Sequence, residues 1–278
     1  MPRYVLTIRC QDQPGIVLAT AQAIVEASGN IVESDQFSDP VTGLFCMRTC
    51  FDSRTDPAER LSSNLSRFDA TIGLRPVERR HRIMVMASKL DHCLADLIYR
   101  HQLGELPVEI PLIASNHPDL EPLAARHGIR FAKLEATPSN REEVGRELAA
   151  LIEENAIDDV VLARYMQILS PEVCARYPGR IINIHHSFLP GFKGAKPYHQ
   201  AYAHGVKLIG ATAHYVTAEL DEGPIIAQDV EPVTHATGPE ELIAIGRDIE
   251  RSVLARAVRL HAEDRVVLAG RRTIVFAP

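Results

Sequence analysis

Two periodicities divide the chain. Up to about residue 80, apolar and polar positions alternate over short stretches. Arg3 to Cys10 reads as a half-buried strand, followed by Asp12-Gln13-Pro14-Gly15 and a helical spacing of Ile16, Val17, Ala21, Ile24 and Val25. Asp12 suits the N-cap of that helix, Pro14 is tolerated in its first turn, and Gly29 is its stop signal. Two further strands, about Ile31 to Ser38 and Leu44 to Phe51, flank the turn Asp39-Pro40-Val41-Thr42-Gly43. A second helix follows Asp56-Pro57 with Leu61, Leu65, Phe68 and Ile72 on one face, and a last strand leads into the polar run 75–82. The order βαββαβ predicts a ferredoxin-like module over residues 1–80.

Beyond residue 80 the strands lose their polar alternation. Apolar runs at Ile83 to Ala87, Val108 to Ala114, Arg130 to Leu134 and Val160 to Ala163 are separated by helical patterns at about 91–103, 119–127 and 140–155. Strands apolar on both faces and spaced by helices predict a Rossmann-like, mainly parallel sheet covered on both sides, here assigned to residues 81–278. Ligands of such folds sit beyond the carboxyl ends of the strands. Further strands are predicted at Ile181 to His185, Lys207 to Val216 and Pro224 to Val230, then a helix over about 238–261 and a hairpin around Ala269-Gly270.

Charge supports a boundary near residue 80. Residues 1–82 carry ten basic and ten acidic side chains, so the whole net charge of −6 lies beyond them, with all five lysines. Mild acidity offers no footprint for a nucleic-acid backbone or an anionic membrane, and neither is expected as a partner. There is no secretory signal pattern at Met1 to Cys10 and no apolar run approaching membrane-spanning length, so a cytoplasmic location is expected. The five cysteines form no CxxC and read as small buried hydrophobes in a reducing compartment.

The parallel sheet lacks the two common nucleotide motifs, GxGxxG and GxxxxGK[ST]. Gly191-Phe192-Lys193-Gly194-Ala195-Lys196 resembles a phosphate loop only in composition and reads as a rim loop. The densest polar stretch is Ile182-Asn183-Ile184-His185-His186-Ser187-Phe188-Leu189-Pro190. Asn183 and His185, two apart on a strand, point to one face and offer a neutral and a titratable donor, the pair that a carbonyl oxygen gaining charge requires. A structural strand end reads the same way. Asp221 and Glu222 lie before Gly223-Pro224 in a short connection, where a carboxylate is either solvated or held near His185. Adjacent His185 and His186 point to opposite faces and no further ligand has regular spacing, so no metal is expected. His185, Ser187 and Asp221 form no nucleophilic triad of the GxSxG kind. His214 either orients Asp221 or is a satisfied core histidine.

The segments ARYMQILS, INIHHSFLPGFKGAKPYHQAYAHGVKLIGATAHYV and LDEGPIIAQD, spanning Ala163 to Asp229, closely resemble the formyltetrahydrofolate-dependent formyltransferase and deformylase superfamily. The N-terminal DQPGI with its βαββαβ order resembles an ACT regulatory domain, and the two together resemble the formyltetrahydrofolate deformylase family over the whole chain. The resemblance implies an enzyme that hydrolyses 10-formyltetrahydrofolate to formate and tetrahydrofolate without a cofactor. It also implies a role in balancing one-carbon pools and supplying formate for purine synthesis. It assigns Asn183 and His185 to the formyl oxygen and Asp221 to the attacking water. Leu162, Tyr165, Met166, Gln167, Ile168 and Leu169 match the loop that receives the pterin, and His214, Thr217, Ala218 and Glu222 are expected to complete the pocket.

Glycinamide ribonucleotide formyltransferases carry a glycine-rich phosphate loop after the first strand of this domain, where this chain has Met86-Ala87-Ser88-Lys89-Leu90-Asp91-His92. Water is therefore the expected acceptor. A formyltransferase acting on an amine and a silent folate or amino-acid sensor stay open as alternatives. Lys89 is a candidate for an anionic folate tail. Asp12, Gly15 and Asn30 match the region where paired ACT modules take up an amino acid, which makes an effector and a homo-oligomer, dimer or tetramer, expected partners; a helix cap and a tight turn use the same residues.

Overall fold

The computed structural model describes residues 1–137, 139–191 and 197–277. The chain divides into two units: residues 1–80 with 264–269 and 274–278, and residues 81–263 with 270–273. In the first unit, β1 (Arg3–Gln11), α1 (Ile16–Glu26), β2 (Asn30–Ser38), β3 (Leu44–Asp52), α2 (Ala58–Leu65) and β4 (Thr71–Pro76) follow one another. Their sheet has the order β2-β3-β1-β4, antiparallel throughout, the ferredoxin-like arrangement of the predicted βαββαβ order. Its core is Leu6, Ile8, Ile16, Ile24, Phe45, Met47, Phe51, Leu61, Leu65 and Phe68. Arg48, buried on β3, is held by Glu33 of β2 at 3.0 Å.

Three local expectations are corrected. The N-cap of α1 is Gly15, at φ 100, and makes no side-chain cap bond. Asp12 instead accepts from Ser38 Oγ, and its amide donates to Gly43 O at 2.8 Å. That leaves Pro14 before the helix rather than in its first turn. Helix α2 ends at Leu65, so Phe68 packs from a single 3₁₀ turn and Ile72 from β4. The chain end was expected to stay with residues 81–263, yet 264–269 and 274–278 join the first unit. Charge decides this: Asp264 pairs with Arg75 at 2.5 Å and Arg265 with Glu33 at 2.8 Å.

In the second unit, β5 (His81–Ala87), α3 (His92–Gln102), β6 (Val108–Ser115), α4 (Glu121–Arg126), β7 (Arg130–Lys133), α5 (Arg141–Glu154), β8 (Asp159–Leu162), α6 (Pro171–Arg176) and β9 (Ile181–His185) precede α7 (Pro197–His204), β10 (Leu208–Tyr215), β11 (Ile225–Pro232) and α8 (Pro239–Ala262). The hairpin β12 (Val266–Ala269) and β13 (Arg272–Val275) ends the chain. Seven strands run in the order β11-β10-β9-β8-β5-β6-β7, with β5 to β9 parallel and β10 and β11 antiparallel to their neighbours. The order reverses between β5 and β8, so their carboxyl ends diverge and leave a crevice at that switch point. One face of the sheet is packed by Leu148, Ile152, Tyr165, Val173 and Tyr177 against Met84, Met86 and Val160. The short α6 was not foreseen; its one clear signal is Ser170, whose Oγ accepts from Val173 N at 3.3 Å.

Leu148 is fully buried in that layer. Leu148→Ala is expected to lower the unfolding free energy by about 2–5 kcal/mol, the cost of lost transfer energy plus the cavity left behind. Urea titration followed by circular dichroism measures it.

Candidate active site

Strand β9 runs parallel beside β8 and carries Asn183 and His185 on one face, as period-2 alternation requires. Antiparallel pairing sets His214 of β10 opposite Asn183 and Thr212 opposite His185. Thr212, wholly buried, ties the chain beyond β9 in place: its Oγ1 donates to Ser187 O at 2.9 Å and accepts from Leu189 N at 3.0 Å. Ser187 donates its own hydroxyl proton to Gly191 O at 2.7 Å, an arrangement of a turn and not of a nucleophile.

The connection after β10 brings Asp221 to these residues. Asp221 Oδ1 lies 3.3 Å from His185 Nδ1 and 3.7 Å from His214 Nε2. Asp221 sits at φ 56, in the left-handed region. Two residues later, Gly223 runs so close to β10 that a Cβ there would come within 1.7 Å of Tyr215 O. Only glycine permits the return that aims the Asp221 carboxylate inward.

Each charge state has a physical cause. Burial alone would raise the Asp221 carboxyl, but the hydrogen bond and positive potential of His185 hold it below the ordinary value, so it is ionised at neutral pH. His214 is buried and its pKa is lowered, mainly by burial. As the neutral ring, His214 donates from Nδ1 to Tyr215 O at 2.9 Å and accepts at Nε2 from Asn183 Nδ2 at 3.2 Å. Burial, helped by the charge of Arg164, pulls His186 down to about 3. The ring of His185 is 5 % exposed and its Nε2 has no hydrogen-bond partner.

A cavity of about 400 Å³ opens onto these groups. Its wall contains Leu162, Tyr165, Met166, Gln167, Ile168 and Leu169 on one side and Asn183, His185, His214, Thr217, Ala218 and Asp221 on the other. Met166 and Ile168 stand exposed, 56 % and 49 %, as apolar walls for a ligand. Glu222, expected in the pocket, instead reaches Arg271 Nη2 at 3.2 Å and is not in that wall. The turn that swings Asp221 in swings its neighbour out. Gln11, next to Asp12, pairs with Leu44 at one end of β3 and Asn30 pairs with Asp52 at the other, so one chain does not bring Asp12 and Asn30 together. Lys193 and the loop 192–196 lie outside the described residues.

Sequence reasoning missed Arg164, which lines the cavity, and Arg141, which lines a second cavity of about 230 Å³ that shares residues 165–169 with the first. An arginine in an otherwise apolar stretch just past a strand end was the available signal for Arg164. It lies at φ 65, with its side chain 11 % exposed and Nε 3.4 Å from Glu250 Oε2. Glu250, 1 % exposed, also accepts from Tyr198 OH at 2.7 Å and is hydrogen-bonded to His92 Nε2 at 2.8 Å. Metal-type groups come together at His81, Asp159 and His261 and at His92, Cys93 and Glu250, and no member of either lies in the wall of the larger cavity.

The Formyl transferase family matches residues 81–258, so fold and site together define a catalytic unit of the formyltransferase class. Full-length similarity narrows this. The chain is 48 % identical over 278 residues to formyltetrahydrofolate deformylase of Synechocystis sp., covering 98 % of both chains. It is 47 % identical to that of Bacillus subtilis, covering 98 % of this chain and 93 % of the relative. The crystal structure of formyltetrahydrofolate deformylase from Burkholderia mallei superposes with a TM-score of 0.95 at 46 % identity over 100 % of both chains. A glycinamide ribonucleotide transformylase from Symbiobacterium toebii reaches a TM-score of 0.66 at 35 % identity, over 71 % of this chain and 95 % of that one. This chain belongs to the formyltetrahydrofolate deformylase family.

Two outcomes are expected. Gly223→Ala displaces the Asp221 connection and lowers turnover by about 10²-fold, the usual penalty for misplacing a reacting group by an ångström, while circular dichroism stays unchanged. In the second, His186 has a folded-state value near 3, against about 6.5 unfolded, so below about pH 6.5 the unfolded chain binds a proton that the folded one does not. Stability is therefore full above pH 6.5 and falls as pH drops towards 4. Melting temperatures across that range should fall less steeply for His186→Phe than for the parent.

Proposed function

We propose that the protein hydrolyses 10-formyltetrahydrofolate to formate and tetrahydrofolate. The observation that carries the mechanism is His185: Nδ1 is engaged by Asp221 at 3.3 Å, while Nε2 is buried at the cavity wall without a partner. As the imidazolium, His185 gives one N–H to the carboxylate and keeps the other for a formyl oxygen that gains negative charge. Asn183 Nδ2 spends one proton on His214 Nε2 and has the second for the same oxygen. A preorganised donor of this kind is worth roughly 3–4 kcal/mol of transition-state stabilisation. The ionised Asp221 orients the attacking water or takes its proton. The water oxygen bonds to the formyl carbon, the bond from that carbon to N10 breaks, N10 keeps one proton, and the second leaves formic acid as formate. Asn183 and His185 activate the carbonyl, so this reading assigns the reaction no resident cofactor or metal.

The apolar Met166 and Ile168 and the backbone of segment 165–170 suit a pterin. Arg141, in the adjoining cavity, is the cation this reading assigns to the carboxylate tail; Lys89 is exposed and lines neither cavity. No helix among the described residues is long and apolar enough to cross a membrane, and the reading places the enzyme in the cytoplasm. The N-terminal unit reads as an ACT-like regulatory module that pairs with another copy and binds an amino acid near Asp12, Gly15 and Asn30 of partner chains. Edge strand β2, with exposed Ile31, Val32 and Phe37, supports such pairing into a dimer or tetramer.

Formate and tetrahydrofolate release is measured with no acceptor added. His185→Ala is expected to lose about 10²–10³-fold in turnover. Asp221→Asn keeps the shape but not the proton acceptor, so it should lose most turnover and still bind folate. Binding without release until an amine is supplied would replace hydrolysis by transfer.

A further inference from the structure

Arg164 is an unusual residue for its place. It follows β8 at the switch point with a backbone φ of 65, where a side chain other than glycine costs roughly 1 kcal/mol. The conformation is clamped rather than accidental: Arg164 O accepts from Ser88 N at 3.3 Å, and Met166 N donates to Ser88 Oγ at 3.0 Å. Arg164 lines the catalytic cavity, and its Nε and Nη1 are buried and have no hydrogen-bond partner. Glu250 stands 3.4 Å from Nε, but its carboxylate already has Tyr198 and His92 as partners, so it holds the guanidinium without saturating it. Two buried N–H groups without acceptors are costly unless an acceptor arrives.

The charges around the cavity identify that acceptor. Asp221 is ionised, and His214 and His186 are neutral at neutral pH by the causes given above. Beside the His185 imidazolium of the hydrolytic reading, which is engaged by Asp221, Arg164 is the one guanidinium or ammonium among the described residues of the cavity wall. Hydrolysis turns a neutral formamide into a carboxylate beside Asp221, and an anion formed there needs a cation within reach. We propose that Arg164 is the anion-binding residue of this site: its N–H groups take the carboxylate of the formate as it forms, in competition with Glu250, the resident carboxylate 3.4 Å from Nε. The assignment rests on the hydrolytic reading, which formate release by the parent protein tests separately.

The test is product inhibition. Sodium formate is titrated into the parent protein, Arg164→Gln, Arg164→Lys and Glu250→Gln during 10-formyltetrahydrofolate turnover, with sodium chloride at matched ionic strength as the control. One or two charge-assisted hydrogen bonds predict that Arg164→Gln raises the inhibition constant for formate about tenfold or more. Arg164→Lys should recover part of that loss. Glu250→Gln removes the competing carboxylate, keeps its shape and should tighten formate binding; it also serves if Arg164→Gln fails to fold. The proposal is overturned if Arg164→Gln and the parent are inhibited alike, if Glu250→Gln weakens or does not change inhibition, or if formate inhibits the parent no more than chloride does.

Discussion

Everything at the site depends on keeping an ionised carboxylate, Asp221, against the His185 ring inside the protein. Withdrawing a carboxylate from water costs several kcal/mol unless a partner and hydrogen bonds replace the solvent. Here the replacement comes chiefly from His185, whose Nδ1 lies 3.3 Å from the carboxylate. The contact is possible because β10 pairs with β9 in a register that sets His214 beside Asn183, and because the chain turns back at Asp221 and Gly223. Shifting β10 by one residue would put His214 on the other face and take from Asn183 the acceptor that orients its amide.

The cavity above this contact has two halves with different physics. Segment 165–170 offers exposed apolar side chains and backbone, which can hold a flat heterocycle by area and by amide hydrogen bonds. The strand ends offer oriented polar groups in a low-dielectric setting, where each donor counts for more than it does in water. Behind them the buried cluster of Glu250, Tyr198, His92 and Arg164 is hydrogen-bonded internally at Glu250 and unsatisfied at the guanidinium. A polar network left incomplete on one side points toward the ligand that completes it.

Legibility in the sequence followed the range of the interaction. Strand and helix periods placed the strands and the longer helices within about two residues, because the apolar face of each is written locally, but α6 and α7 were missed and α2 was read past its end. Asn183 and His185 were readable as a pair from a spacing of two, whereas Asp221 stayed open between a solvated and a held carboxylate until the family resemblance assigned it. Arg164 was hidden within ARYMQILS, since nothing local says that an arginine past a strand end is buried. Glu222 was misplaced because adjacent residues in a left-handed turn diverge, and the capping role of Asp12 was misread because Ser38 and Gly43, far along the chain, claim it.

By itself, then, the sequence determined the two alternating patterns, the boundary near residue 80, the identity of the chemical groups and their family resemblance, all of which are properties of neighbours along the chain. Only the tertiary structure decided which carboxylate faces which histidine, where the guanidinium of Arg164 ends, and that residues 264–269 and 274–278 return to the first unit. Those outcomes rest on burial and on ion pairs between residues as far apart as Arg75 and Asp264. Desolvation and Coulomb energies depend on distances in space, which spacing along the chain does not encode.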